Sequence, residues 1–165
     1  MILQTERLAL AELEPEDAPF ILELLMSRGF RENIGDRGVR DLEGAQGYIA
    51  RQREGYAAHG FGLWRCELRA SGEAAGICGL VKRDGLDDPD VGYAFLERFW
   101  GQGFATESAA AVVDYARAKL GLATVVAITT PKNLGSIAVL KKIGFKDAGT
   151  IQLPGHEHAS SYFTT

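Results

Sequence analysis

Residues 98–107, Arg98-Phe99-Trp100-Gly101-Gln102-Gly103-Phe104-Ala105-Thr106-Glu107, place two glycines at the mouth of a helical pattern, just after a strand-like segment. Glycine lets a backbone approach a ligand closely, and the first N–H groups of a helix have no acceptor inside it, so they point outward with partial positive charge. That combination is an anion site, with phosphate its usual occupant. Two readings fit the spacing: the amides of residues 101–106 cradle a pyrophosphate, or the glycines serve a tight strand–helix turn that needs positive φ. A dinucleotide fingerprint fits poorly, because Thr106 stands where its third glycine belongs. The absence of Gly-Lys-Ser/Thr excludes a P-loop.

A second element lies one βα unit further on, Asn133-Leu134-Gly135-Ser136 running to Gly144-Phe145. Alone it is an amphipathic helix with an Asn cap and a Gly stop. After a parallel strand, however, its start approaches the same sheet edge as the glycine turn, and the pair is more specific than either part. Arg28, Arg31, Arg37 and Arg40 are interleaved with Gly29, Gly35 and Gly38 over residues 28–40, a loop with a short helical turn. Cys66 and Cys78 fall in strand-like stretches and read as buried free thiols, as expected in a reducing cytoplasm. His156 and His158 read as a polar turn, with no cysteine or carboxylate cluster to complete a metal site.

Residues 8–13 form a first strand, and Pro15-Glu16-Asp17 opens a helix whose Ala18, Ile21, Leu22 and Leu25 share one face. Asp41 caps a helix over residues 42–59 that Gly60 ends. Residues 61–68 and 74–82 read as antiparallel strands around a Ser71-Gly72 turn, and residues 90–96 as the strand entering the glycine turn. A helix over 104–120, a continuously apolar strand over 124–128, a helix from 133 or 134 to 144, and strands over 145–153 and 159–164 complete the order. The β-α-β-α-β portion requires a parallel crossover and the hairpins require antiparallel pairs, so a mixed sheet with helices on both faces is expected. With 165 residues and neither a linker nor a repeat, residues 1–165 are expected to form one domain.

The net charge of −4, without a basic run, argues against a nucleic-acid partner. The apolar runs are too short to span a bilayer, and residues 1–7 lack a signal-peptide pattern, so a cytoplasmic protein is expected.

The motifs together resemble the GNAT superfamily of N-acetyltransferases. Arg98-x-x-Gly101-x-Gly103 matches its Q/R-x-x-G-x-G/A signature, and residues 100–107 match the W-G-x-G-[YF]-A-T-E form of the branch that acetylates ribosomal-protein N-termini. Asn133-x-x-Ser136 with Gly144-Phe145, the segment Thr5-Glu6-Arg7-Leu8 and the loop Asn33-Ile34-Gly35-Asp36-Arg37-Gly38 extend the resemblance over nearly the whole chain. It implies a mixed, mostly antiparallel sheet of six to seven strands with a central, splayed parallel pair. It also implies direct transfer from acetyl-CoA to a primary amine, on a small molecule or a protein N-terminus, with no acyl-enzyme.

In that resemblance Arg98, Gly101, Gln102, Gly103, Phe104, Ala105 and Thr106 surround the pyrophosphate. A backbone N–H near Phe95 or Leu96 binds the acetyl carbonyl and stabilises its oxyanion. Asn133 and Ser136 contact the pantetheine arm or position the thiol. Asp90 stands where relatives carry Glu before a similar I-G-Y and is the candidate base, working through a water; its alternative is a solvated turn residue after Pro89, and Glu97 is a weaker candidate. Relatives donate the thiolate's proton from a Tyr five residues before the motif Phe; here that residue is Leu140, which leaves Ser136 or Tyr93. Arg31 and Arg37, with Tyr93, are candidates for the acceptor site, where arginines suit an acidic acceptor; pairing with Glu32, Asp36 or Asp41 is the alternative. Transfer of succinyl from succinyl-CoA, or CoA binding without catalysis, are the competing functions. The family also implies a monomer or homodimer.

Overall fold

The computed structural model describes residues 1–165, and its strands join in one sheet of eight in the order β1-β2-β3-β4-β5-β6-β8-β7. These strands are β1 (Leu3–Gln4), β2 (Leu8–Ala11), β3 (Leu63–Leu68), β4 (Ala74–Val81), β5 (Asp90–Phe95), β6 (Val126–Thr129), β7 (Lys146–Ile151) and β8 (Ser160–Thr164). All neighbours are antiparallel except β5 and β6. The sheet is thus the mixed, mostly antiparallel one expected, with one strand more than the six to seven anticipated. The extra strand, β1, has two residues and pairs Leu3 with Leu10, too short a segment to show alternation.

The helices are α1 (Ala18–Met26), α2 (Arg28–Asn33), α3 (Leu42–His59), α4 (Phe104–Ala118) and α5 (Leu134–Lys142). Helix α3 begins where the Asp41 carboxylate accepts from Gly44 N–H at 2.8 Å and ends at Gly60, whose φ of 76° few other residues adopt cheaply. Helix α2 is the short helical turn expected within residues 28–40, and it occupies the first six of them. Ser27 caps it by accepting from Phe30 N–H at 3.3 Å. None of the helices is long and apolar enough to cross a membrane.

Alternation along the strands sends helices to opposite faces. Trp64, Cys78 and Tyr93 are cross-strand neighbours on one face. There Trp64 meets Tyr115 of α4 edge-on at 5.6 Å, and Tyr93 meets Ser136 of α5. On the other face Leu63 N–H donates to Gln52 of α3 at 3.1 Å, and Arg65 pairs with Asp17 at 2.7 Å. The main core holds 33 buried residues, Leu8, Leu10, Ile21, Ile49, Trp64 and Leu80 among them, which anchors every element around the site.

Candidate active site

The parallel pair β5–β6 touches at a single register position, Asp90 opposite Val126, and then diverges. At that contact Val126 N–H donates to Pro89 O at 3.0 Å, while at the far end of β5 Leu96 N–H donates to Ala75 O of the β4 side at 3.0 Å. Because backbone groups alternate sides along a strand, Asp90, Gly92, Ala94 and Leu96 serve β4, whereas Val91, Tyr93 and Phe95 face the gap. The Leu96 donor is therefore spent in the sheet. The N–H groups of Tyr93 and Phe95 face the opening, where β6 is too far away to pair with them. Phe95 O is bonded by the Trp100 indole N–H at 2.7 Å. A cavity of about 390 Å³ occupies this gap.

At the C-terminal end of β5, Gly101 and Gly103 adopt φ of 73° and 84°. A Cβ on Gly101 would meet nothing within 4 Å, so backbone conformation rather than crowding selects glycine there. Gly103 caps α4 without a side-chain bond, and the first intrahelical bond runs from Glu107 N–H to Gly103 O at 3.0 Å. The N–H groups of Phe104, Ala105 and Thr106 are thus without intrahelical acceptors at the positive end of the helix dipole. Ala105 lines the cavity, and buried Phe104 stacks on Phe95 with centroids 6.3 Å apart.

The Arg98 guanidinium does not enter the cavity. It bonds Glu73 at 3.0 Å and Glu23 at 3.4 Å and lies over the Phe99 ring at 5.0 Å. The Gln102 side chain donates to Arg98 O at 3.3 Å, which closes the turn from outside. Glu97 is likewise engaged, accepting Gly29 N–H at 2.9 Å.

The sequence alone assigns no role to Glu107. Its carboxylate accepts the Thr5 hydroxyl, Arg7 N–H at 2.9 Å and Arg7 Nε at 2.8 Å, while the Arg7 guanidinium covers the Phe104 ring at 4.3 Å. Burial works against ionisation of Glu107, and the Thr5 and Arg7 donors outweigh it. This cluster joins residues 5–7 to the first turn of α4. It gives a structural reason for both segments of the resemblance, 100 residues apart in the chain.

Across the gap, Asn133 caps α5 by accepting Ser136 N–H at 3.1 Å. The Tyr93 hydroxyl lies 2.8 Å from Ser136 Oγ and donates to Ser136 O at 3.2 Å. Burial pushes the Tyr93 hydroxyl up to about 12, so it stays protonated at neutral pH. Leu140, at the position of the relatives' Tyr, is a buried cavity wall.

Asp90 is not a solvated turn residue. It is 1% exposed, on the α3 side of the sheet, with both carboxylate oxygens 3.1 Å from Arg83 Nε. Burial pushes its carboxyl up to about 6, against the pull of Arg83. Arg37 lines the cavity; Arg31 does not. Cys66 and Cys78 are buried free thiols, and burial pushes Cys78 up to about 12, which removes both as nucleophiles at neutral pH.

Trp100 links the two halves of the site. Its ring occupies the space of the missing Gly29 side chain: a Cβ there would lie 2.5 Å from the ring. Gly29→Ala must displace the indole from Phe95 O. It is expected to cost about 1–3 kcal/mol, lowering Tm by roughly 2–12 °C. A shift in Trp100 fluorescence, with buried Trp64 unchanged, distinguishes this from general loosening.

Residues 7–146 match the acetyltransferase (GNAT) domain family, and the chain belongs to that family. The uncharacterized N-acetyltransferase YoaA of Bacillus subtilis (strain 168) is 26% identical over 164 residues, spanning 99% of this chain and 93% of YoaA. The crystal structure of the acetyltransferase from Agrobacterium tumefaciens str. C58 superposes with a TM-score of 0.84 at 27% identity, covering 99% of this chain and 92% of that one. RimL, a ribosomal L7/L12 alpha-N-protein acetyltransferase solved in complex with coenzyme A, shares the fold at a TM-score of 0.85 and 17% identity, covering 99% of this chain and 96% of RimL.

Proposed function

We propose that residues 1–165 form a single acetyl-CoA-dependent N-acetyltransferase domain that moves an acetyl group directly to a primary amine. The observation that carries this reading is the one cavity shared by the gap-facing N–H groups of β5, the start of α4, the Tyr93–Ser136 pair and Asp90. The free N–H groups of residues 104–106 suit the pyrophosphate of acetyl-CoA, and the open strand edge suits its amide-bearing arm. Acetyl-CoA supplies an activated acetyl thioester, whose C–S bond breaks as the bond from the amine nitrogen forms.

The residues of the chain divide the remaining work. The N–H of Phe95, and that of Tyr93 beside it, polarise a carbonyl held between the strands. Asp90, its carboxyl raised toward neutrality, takes the proton from the incoming ammonium directly or through a water. The Ser136–Tyr93 pair holds a proton for the departing sulfur. Asn133 acts by fixing the start of α5 and hence Ser136. Arg98 acts on the turn from outside, its charge already matched by Glu23 and Glu73.

Thermal unfolding with acetyl-CoA, CoA, succinyl-CoA, NAD and ATP in parallel tests the donor. A ligand at about 100 times its Kd adds roughly 2.7 kcal/mol of stability. Stabilisation by acetyl-CoA and CoA but not by NAD or ATP is expected. No shift with either CoA species overturns the reading and returns the glycine turn to a purely structural role.

A further inference from the structure

The cavity passes through the β5–β6 gap to the α3 face of the sheet, where its charge has an unusual balance for an amine-binding site. Asp90 is the only carboxylate lining it, and that carboxylate is both buried and bound by Arg83. A second guanidinium, Arg37, lines the same cavity, from the loop between α2 and α3. Its neighbours Arg28 and Arg40 are neutralised by Glu32 and Asp36, whereas Arg37 has neither a carboxylate partner nor a hydrogen bond. The Tyr48 hydroxyl on α3 and the Asn33 amide line the same cavity and likewise bond nothing in the protein. Tyr48 lies within the fields of Arg37 and Arg83, and its burial keeps the hydroxyl protonated.

Free donors around an unpaired guanidinium form a receptor for a carboxylate. A polycation would find no second carboxylate here, and Arg37 would repel it. The acidic chain as a whole carries −4, so the positive charge at this end is local.

We propose that the acceptor is a small amine bearing a carboxylate, with its nitrogen toward Asp90 and its carboxylate on Arg37, assisted by Tyr48 and Asn33. This rests on the transferase reading. The same receptor chemistry would also suit the carboxylate of a succinyl donor, and the donor arm of the test separates the two.

The test compares free amino acids with their carboxamides and decarboxylated amines, alongside spermidine, using acetyl-CoA and succinyl-CoA as donors and following CoA release. The expected result is a preference of more than about tenfold in kcat/KM for the carboxylated acceptor over its amide, from loss of one charge-assisted contact. Arg37→Gln raises KM for the acid by a similar factor with little change in kcat, and the acid–amide preference disappears. Arg37→Lys, which keeps the charge but not the fork, restores part of it.

Equal kcat/KM for acid and amide, preferential use of spermidine, or an Arg37→Gln defect confined to succinyl-CoA overturns the assignment. Acetyl-CoA binding by calorimetry, run on the wild type and on Arg37→Gln, separates the two levels. Absence of binding in the wild type sinks the transferase reading. Intact binding with no turnover of any carboxylated amine sinks only the acceptor proposal.

Discussion

Asp90→Asn lowers kcat by roughly 100- to 10,000-fold while acetyl-CoA still binds, if Asp90 is the base that receives the ammonium proton. The substitution keeps the shape of the side chain and removes its basicity. In the wild type, kcat rises with pH through about 6 and then levels, because the carboxylate must be ionised to act. The Asn variant loses that rise.

Stability moves the opposite way. Burial holds the Asp90 carboxyl above its ordinary 3.8, so the folded chain binds this proton more tightly than the unfolded chain does. Stability from this group is fully present below 3.8 and is lost as pH rises through about 6. The Tm difference between wild type and Asp90→Asn should therefore shift in favour of the wild type as pH falls across that window. A variant that keeps the full rate excludes Asp90 as the base; a flat Tm difference contradicts the burial that tunes it.

Gly79→Ala is the most damaging single methyl expected in the sheet. Gly79 sits on β4 opposite Gly92 of β5, and a Cβ on it would lie 1.9 Å from Gly62 O. That oxygen is backbone and already accepts Leu80 N–H at 3.0 Å, so it cannot swing aside as a side chain would. The start of β3 must move, taking with it Leu63, a cavity wall. The expected cost is about 3 kcal/mol, the upper part of the range for overpacking, which lowers Tm by roughly 6–12 °C. Gly47→Ala in α3 is the control. Its nearest neighbour would be the flexible end of Arg51 at 3.6 Å, and helix propensity favours alanine by about 0.5–1 kcal/mol. Destabilisation by the first and stabilisation by the second separates backbone crowding from a general effect of added bulk. A Gly79→Ala protein with unchanged Tm would overturn the close approach of β3 to β4.

Much of this architecture is legible one segment at a time. Asp41 and Gly60 mark α3 within one residue at each end, because a cap and a left-handed stop are properties of a few consecutive residues. The glycine turn at Gly101 and Gly103 and the Asn133 cap are equally local, and each has the backbone conformation or bond its residue type favours. Apolar patterning located seven strands but passed over the two-residue β1, and it placed a short helical turn in residues 28–40 without the bounds of α2.

The partners of charged and polar groups follow a different rule. Arg98 looks like an anion ligand in its motif, yet Glu23, 75 residues away, and Glu73 claim its charge. Leu96 looks as able to donate as Phe95 until strand register assigns its N–H to Ala75. Glu107 carries no chemistry in its motif, and its role emerges only beside Thr5 and Arg7. Backbone preference acts over three or four residues and is written in the order of the chain. Register, side-chain direction and burial depend on neighbours brought together by folding, and these decide that Asp90 is buried near neutrality and that Arg37 is left unpaired.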